Sequence, residues 1–250
     1  MSRTGPPPRG TAVAGHPRGG VGTLVRLRVR GFVRTGRALA PLLTALVALG
    51  VLYGGGQAPA GEAYGVSAVV LFPILAWQSA LLLDVEPDTQ RRLARLALGR
   101  PHREWVAGLA AAALTGLGLV ALALAVPWPL AGIRGPQAPG EPSLALGAAL
   151  GVWAHLLALP PAVALGALAS RAVTRRVAVG LTVLVAGGVA TLVLGLRDSA
   201  LPWLGPPVMA VARAAAGRPE AGTVAALTLH ALLWTLAATA GYAALRRSRS

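Results

Sequence analysis

The chain has 250 residues, of which 55% are hydrophobic and only 12% are charged, and its mean hydropathy is +0.64. A soluble domain could not keep so much apolar surface away from water, whereas a bilayer solvates the outer faces of apolar helices. The formal net charge of +15 does not indicate a nucleic-acid partner, because the arginines lie between long apolar runs and form no single basic face. The composition therefore predicts an integral membrane protein.

Two missing residue types exclude further classes of protein. The chain has no Cys, which excludes disulfides and thiol chemistry. All 23 basic residues are Arg, so the Lys with which a P-loop reaches nucleotide phosphates is missing, as is any Lys for a Schiff base. We therefore expect that this chain is not itself an enzyme and binds no cofactor.

The N-terminal part of the chain divides into a polar segment and an amphipathic one. Residues 1–22 are rich in Gly, Pro and Arg and predict a disordered cytoplasmic tail, and residues 23–250 form the transmembrane domain. On a helix, residues 23–37 would carry a basic stripe and an apolar stripe. The basic stripe is Arg26, Arg30, Arg34 and Arg37, and the apolar stripe is Val25, Val29, Phe32 and Val33. This pattern favours an interfacial helix, although simple positive-inside anchors, or a strand at 25–30, would also fit.

Six apolar runs follow, each close to the roughly 20 residues that cross a hydrocarbon core. They lie near 38–55, 64–83, 105–126, 144–169, 177–196 and 223–244. The fourth run carries Pro160 and Pro161, which predict a kink, and Pro73 could act in the same way in the second run. The pattern predicts an all-α polytopic membrane protein with six transmembrane helices.

The placement of arginine predicts the orientation of these helices. One side of the predicted membrane would hold 19 arginines, and the other side only Arg134, Arg197, Arg213 and Arg218. Because cytoplasmic segments carry the excess of positive charge, the richer side is expected to be cytoplasmic. Both termini would then lie in the cytoplasm.

The loop 84–104 predicts a short cytoplasmic helix over residues 88–98. Asp88 or Thr89 can cap its start, and Leu93 and Leu96 share one apolar face with Ala97. This helix is either an ordinary basic loop or a docking surface for a cytoplasmic partner. The acidic residues of the loop, with His102, could in principle bind a metal, but capping and ion pairing with Arg91 and Arg92 explain them better.

Two histidines, His155 and His230, lie inside predicted spans, where ionisable side chains suggest function. His155 shares a helix face with Gly147 and Gly151, a pair that allows close helix packing. His155 can therefore be a hydrogen-bonded group at a helix interface or a contact on a substrate path. A similar stripe of small residues, Gly108, Ala112 and Gly116, runs along the third span.

The segment 197–222, before the last span, contains Trp203 and an apolar stretch that is too short to span. It predicts a re-entrant or interfacial helix anchored by Trp203, or else an ordinary periplasmic loop.

From residue 23 to residue 245, this layout resembles a permease subunit of the type-2 ABC exporter family. The residues that carry the resemblance follow one another in the family's order in the loop before the third span: Glu86, Thr89, Leu93, Leu96, Pro101 and Arg103. Asp88 stands where the family usually has Gly. The family has an amphipathic cytoplasmic N-terminal helix, six spans, a coupling helix after the second span and a re-entrant segment before the sixth.

The resemblance implies a function that depends on partners. A separate ABC ATPase subunit would bind ATP and Mg²⁺ and push on the coupling helix, and a second permease copy or homologue would complete the transporter in a bacterial plasma membrane. The implied coupling residues are Glu86, Asp88, Thr89, Arg92, Leu93, Leu96 and Arg103. His155 and His230 would lie along the path of a hydrophobic or amphipathic substrate.

Two other functions remain open on the sequence alone. One is a membrane-embedded enzyme that acts on lipids, although the spans contain almost no acidic residues. The other is a membrane partner protein that transports nothing. A secondary transporter fits less well, because no acidic residue lies deep in a span to couple ions.

Overall fold

A computed structural model of the chain describes residues 20–86 and 101–248. The regular secondary structure of this part of the chain is helical apart from two strands of two residues each, which confirms the all-α part of the prediction. The elements in chain order are α1 (Val21–Arg34), α2 (Leu39–Gly54), β1 (Ala58–Pro59), α3 (Ala60–Leu83), α4 (Pro101–Ala125), β2 (Ile133–Arg134), α5 (Leu144–Ala169), α6 (Arg171–Thr174), α7 (Val177–Leu194), a 3₁₀ turn (Pro202–Leu204), α8 (Val208–Ala215) and α9 (Ala221–Arg247).

Five of these helices, α3, α4, α5, α7 and α9, are long and apolar enough to cross a membrane. The pair α1 and α2 gives a sixth candidate only when the two are taken together, and they meet at an angle of 72°. Gly36, with a φ of +71°, lies in the bend between them, in a backbone conformation that other residues adopt only with strain. The chain is therefore consistent with a multi-pass membrane protein of five or six spans.

The centre of the bundle is the interface between α3 and α5, where glycines replace side chains. A Cβ atom on Gly147 would lie 2.8 Å from the backbone nitrogen of Gly61, and one on Gly151 would lie 2.5 Å from Cβ of Tyr64. This confirms the close packing predicted for the Gly147–Gly151 face. By contrast, only 11% of the most apolar stretch of α7 and 6% of that of α9 are buried within the chain, so these two helices lie at the periphery.

The prolines do not divide the helices that contain them. Helix α3 continues through Pro73, and α5 continues through Pro160 and Pro161. Helix α5 ends at Ala169, and Ser170 links it to the short helix α6. Helix α6 lies at the same end of the bundle as the last turn of α3.

The opposite end of the bundle is closed by short elements. Strands β1 and β2 pair in parallel, and Arg134 binds Glu141 through two hydrogen bonds of 2.8 and 3.0 Å. That contact holds the pKa of Glu141 down to about 2. The predicted short helix before the last span is present as α8, which packs on α3 and α5, whereas Trp203 is 64% exposed.

Candidate functional site

Four charged side chains from distant parts of the chain meet inside one end of the bundle. Arg28 comes from α1, Glu86 follows α3, Glu104 lies in the first turn of α4, and Arg246 lies in the last turn of α9. Arg28, Glu104 and Arg246 are buried, and the side chain of Glu86 is 15% exposed. We refer to these four residues as the charge cluster.

Glu104 lies at the centre of the charge cluster, between two guanidinium groups. Its Oε1 accepts a hydrogen bond of 2.6 Å from Nη2 of Arg28, and its Oε2 accepts one of 2.6 Å from Nη2 of Arg246. Arg28 also donates to the backbone oxygen of Glu104 at 2.9 Å and to Oε2 of Glu86 at 2.6 Å. Hydrogen bonds between charged partners at these lengths are among the strongest that proteins make.

The position of Arg28 corrects the prediction for the N-terminal helix. Residues three and four apart lie on one helix face, so Arg28 shares the inward face with Val25 and Phe32. Phe32 is buried, whereas Val33, predicted to belong to the apolar stripe, is 60% exposed and does not face the bundle. Thus α1 is a helix with an apolar face as expected, but that face carries a buried arginine.

Gly108 makes room for this arginine. A Cβ atom at position 108 would lie 2.5 Å from Nη1 of Arg28 and 2.8 Å from a methyl group of Leu83. Gly116, further along the same stripe, contacts Leu159. The small-residue stripe on α4 therefore serves two purposes: it admits a guanidinium near the helix start and permits close helix packing further on.

Aromatic side chains hold Arg246 in place. Its Nη1 donates to the hydroxyl of Tyr242 at 3.0 Å, and its guanidinium carbon lies 5.6 Å from the centre of that ring. Trp105 packs edge-to-face on Tyr242, with 6.4 Å between the ring centres. The last turn of α9 is thereby fixed to the first turn of α4, beside Glu104.

A second set of contacts ties the end of α3 to two other segments. The carboxylate of Asp84 accepts hydrogen bonds of 3.0 and 3.2 Å from the backbone nitrogen of Arg171, at the start of α6. Arg171 and Arg37 donate to the backbone oxygen of Asp84 at 2.8 and 3.0 Å. The residues just before position 87 are thus held by α1, by the chain that leads into α2, and by α6.

The structure describes only Glu86 and Arg103 among the predicted coupling residues. Asp88, Thr89, Arg92, Leu93 and Leu96, together with the predicted helix 88–98, lie outside the described residues. Glu86 belongs to the charge cluster, and Arg103 is exposed in the first turn of α4. Within residues 20–86 and 101–248, no group of three or more His, Asp or Glu side chains could hold a metal ion.

His155 is fully buried between α3 and α5. Its Nδ1 lies 2.8 Å from the backbone oxygen of Gly151, and its Nε2 lies 3.1 Å from the hydroxyl oxygen of Ser67. Because a carbonyl can only accept, Nδ1 must donate, so Nε2 of a neutral imidazole is an acceptor. The one hydroxyl proton of Ser67 is shared between this nitrogen and the backbone oxygen of Tyr64, which lies 3.0 Å from the hydroxyl oxygen. Tyr64 packs edge-to-face at 6.1 Å. This geometry fits the role of a hydrogen-bonded group at a helix interface.

His230 occupies a different setting, on the exposed side of α9. Its Nε2 lies 3.3 Å from the backbone oxygen of Trp203, and Trp234 on the next turn donates to the backbone oxygen of Leu204 at 2.8 Å. These two contacts hold the 3₁₀ turn against α9. The structure therefore places His155 and His230 in separate environments.

The charge cluster was not predicted from the sequence, apart from Glu86. Comparisons with protein-family models, with curated proteins and with solved structures returned no match.

Proposed function

We propose that this chain is the membrane-spanning permease subunit of an ATP-driven exporter of the type-2 ABC kind, which moves a hydrophobic or amphipathic substrate across a bacterial plasma membrane. The observation that carries the proposal is the position of the charge cluster. Glu86 immediately precedes the loop 87–100, Glu104 follows it by four residues, and their partners come from α1 and α9.

Such an exporter needs a mechanical connection between a partner ATPase and the transmembrane helices. A push on the loop 87–100 would act on Glu86 and Glu104 at its two ends. Arg28 would pass this displacement to α1, and Arg246 would pass it to α9. Breaking a buried ion pair is costly, about 3–5 kcal/mol when one partner is removed, so the connected elements tend to move together.

The energy source would be a separate subunit. The absence of Lys leaves this chain without the residue that a P-loop uses, so ATP and Mg²⁺ would bind to the partner ATPase. Leu93 and Leu96 would enter a groove of that subunit. A second copy of the chain, or a homologue, would complete the transport path, and the peripheral helices α7 and α9 offer the apolar surface on which a copy or lipid could pack.

Co-purification of the ATPase tests the proposal most directly. The double variant Leu93→Asp and Leu96→Asp should lose the associated ATPase, because burial of each leucine is worth roughly 1.5–3 kcal/mol and about 1.4 kcal/mol changes an affinity tenfold. The readout is the ATP-hydrolysing subunit recovered with the tagged chain from its native membrane, at equal expression.

Two control variants make the result specific. Leu196→Asp with Leu201→Asp makes the same chemical change at exposed leucines outside the loop 87–100, after α7, and should retain the ATPase. His155→Asn should also retain it and at most alter transport. Recovery of the ATPase at the wild-type level with the Leu93 and Leu96 variant would contradict the proposal. A retained ATPase without transport in any assay would instead favour a non-transporting membrane partner.

A further inference from the structure

Three arginines of α1 lie on the face of the helix that is turned away from the bundle. Arg26, Arg30 and Arg34 follow one another at intervals of four residues, which places them on one helix face, and all three are exposed. Arg30 lies two residues from the buried Arg28 and two from the buried Phe32, so this face is opposite the one that packs on the bundle. We refer to Arg26, Arg30 and Arg34 as the outer arginines.

The N-terminal part of the chain offers the outer arginines no counter-charge. Residues 1–61 contain eight arginines and no acidic residue. Like charges four residues apart on a helix repel one another and destabilise it. The arrangement is therefore favourable only where negative charge from elsewhere lies beside this face of α1.

Acidic residues from later in the chain do not supply that charge. The three that the structure describes at the end of the bundle with the charge cluster pair with other arginines: Asp84 with Arg171, Glu86 with Arg28, and Glu104 with Arg28 and Arg246. Asp88 lies outside the described residues, and one carboxylate cannot neutralise three guanidinium groups. The counter-charge for the outer arginines must come from another molecule.

The course of α2 indicates the position of α1 in a membrane. Arg37, just before α2, donates to the backbone oxygen of Asp84 at the end of α3, at 3.0 Å. Tyr53, near the end of α2, donates to the backbone oxygen of Ala63 near the start of α3, at 3.3 Å. Helix α2 thus runs from one end of the bundle to the other, as a span does. Because α1 meets α2 at 72°, α1 lies close to the membrane plane, at the depth of the lipid head groups.

Apolar side chains border the outer arginines and favour lipid as the source of the negative charge. Leu27 is 58% exposed and Val33 is 60% exposed. A soluble polyanion would match the charge of this face but not its exposed hydrocarbon, whereas a phospholipid offers both a phosphate and acyl chains. This setting also explains why Val33 does not face the bundle.

We propose that the outer arginines bind the phosphate groups of acidic phospholipids in the leaflet beside α1. A guanidinium matches the geometry of a phosphate, and an acidic lipid brings negative charge without the ammonium that cancels it in a zwitterionic lipid. Helix α1 then has two charged faces: the outer arginines contact lipid, and Arg28 holds the charge cluster. The inference rests on the insertion of the chain in a membrane and not on the proposed transport function.

Native mass spectrometry of the purified full-length chain tests the inference with two lipids that differ only in the head group. These are dioleoylphosphatidylglycerol, which is acidic, and dioleoylphosphatidylcholine, which is zwitterionic. The wild-type chain should bind the acidic lipid at least about fivefold more tightly, which is the effect of one arginine near an anionic surface, about 1 kcal/mol. The triple variant Arg26→Gln, Arg30→Gln and Arg34→Gln should bind both lipids with equal affinity.

Two further variants separate the outer arginines from positive charge in general. Arg103→Gln with Arg175→Gln and Arg176→Gln is the matched control, because it removes three exposed arginines from the same end of the bundle and should keep the preference for the acidic lipid. Replacement of all three outer arginines by Lys keeps their charge and should also keep it. Hydrogen exchange in nanodiscs locates the contact: the backbone amides of residues 21–34 should exchange more slowly in the acidic lipid, except in the triple Gln variant.

Three results would overturn the inference. One is equal affinity of the wild-type chain for the two lipids. Another is an equal loss of preference in the triple Gln variant and in the matched control, which would assign the effect to the net charge of this end of the bundle. The third is displacement of phosphatidylglycerol by a single-stranded oligothymidylate or by polyglutamate, which would make a soluble polyanion the partner of the outer arginines.

Discussion

The single carboxylate of Glu104 accepts hydrogen bonds from two arginines, so the charge cluster depends on this residue. Each of its oxygens accepts from a different guanidinium, at 2.6 Å in both cases. Loss of its charge would leave Arg28 and Arg246 buried with weaker compensation. A buried charge without its partner is more destabilising than the complete absence of the pair.

Glu104→Gln should therefore lower the free energy of unfolding by about 3–5 kcal/mol. A double-mutant cycle with Arg246→Met isolates the contact, because the double variant should be more stable than the sum of the two single losses predicts. The measurement is the unfolding free energy in mixed micelles. Glu141→Gln, at the pair with Arg134, is the comparison variant and should lower it by less, because both side chains of that pair are in contact with solvent. A coupling energy near zero between Glu104 and Arg246 would show that the charge cluster does not join α4 to α9.

Some of these residues could have been found from the sequence, and others could not. Arg28 is three residues after Val25 and four before Phe32, so helical spacing alone places it on the apolar face. No local pattern pairs it with Glu104, 76 residues away, because that contact exists only when α1 packs on α4.

At the scale of elements, α3 organises the bundle through glycines that face its neighbours. Gly61 contacts Ala215 at the end of α8 and also Gly147 of α5, and Gly65 contacts Ala212. The short helix α8 can lie this close to α3 only where no side chain intervenes. The sequence predicted α8 as a short helix before the last span. Its packing mainly on α3, rather than on α9, is decided by tertiary contacts that the sequence pattern does not show.

Gly65→Leu tests the attachment of α8. A Cβ atom at position 65 would lie 2.7 Å from the backbone oxygen of Ala212, and a backbone atom cannot rotate away as a flexible side chain would. Overpacking of this kind typically costs about 1–3 kcal/mol, so the thermal unfolding midpoint should fall. Gly222→Leu is the control, because its Cβ atom meets nothing within 4 Å. Equal midpoints for the two variants would mean that α8 does not pack on α3 in the membrane.

At the scale of the whole molecule, the boundaries of the spans follow from the chain's own hydropathy, whereas their arrangement does not. The predicted runs 64–83, 144–169 and 177–196 agree within a few residues with α3, α5 and α7, because a long apolar run is stable in lipid only as a helix. The first run is the exception: α2 has only 16 residues and bends sharply away from α1. Which helices are central and which are peripheral depends on small-residue contacts that hydropathy does not report.

The orientation of the bundle in the membrane is predicted from the distribution of arginine along the chain. Of the 23 arginines, 19 fall in segments that six spans would place on one side, and that side should be cytoplasmic.

Reporter fusions at Gly135 and Gly217 should read periplasmic, and fusions at Gly99 and Ser250 should read cytoplasmic. The fusion sites Gly135 and Gly217 lie at one end of the bundle, because Arg134 and Arg218, which adjoin them, both bind Glu141. If Gly135 and Gly217 gave opposite signals, the chain would have an odd number of crossings between them. A periplasmic signal at Gly99 would invert the orientation, remove the loop 87–100 from any cytoplasmic ATPase, and leave the charge cluster without the partner proposed for it.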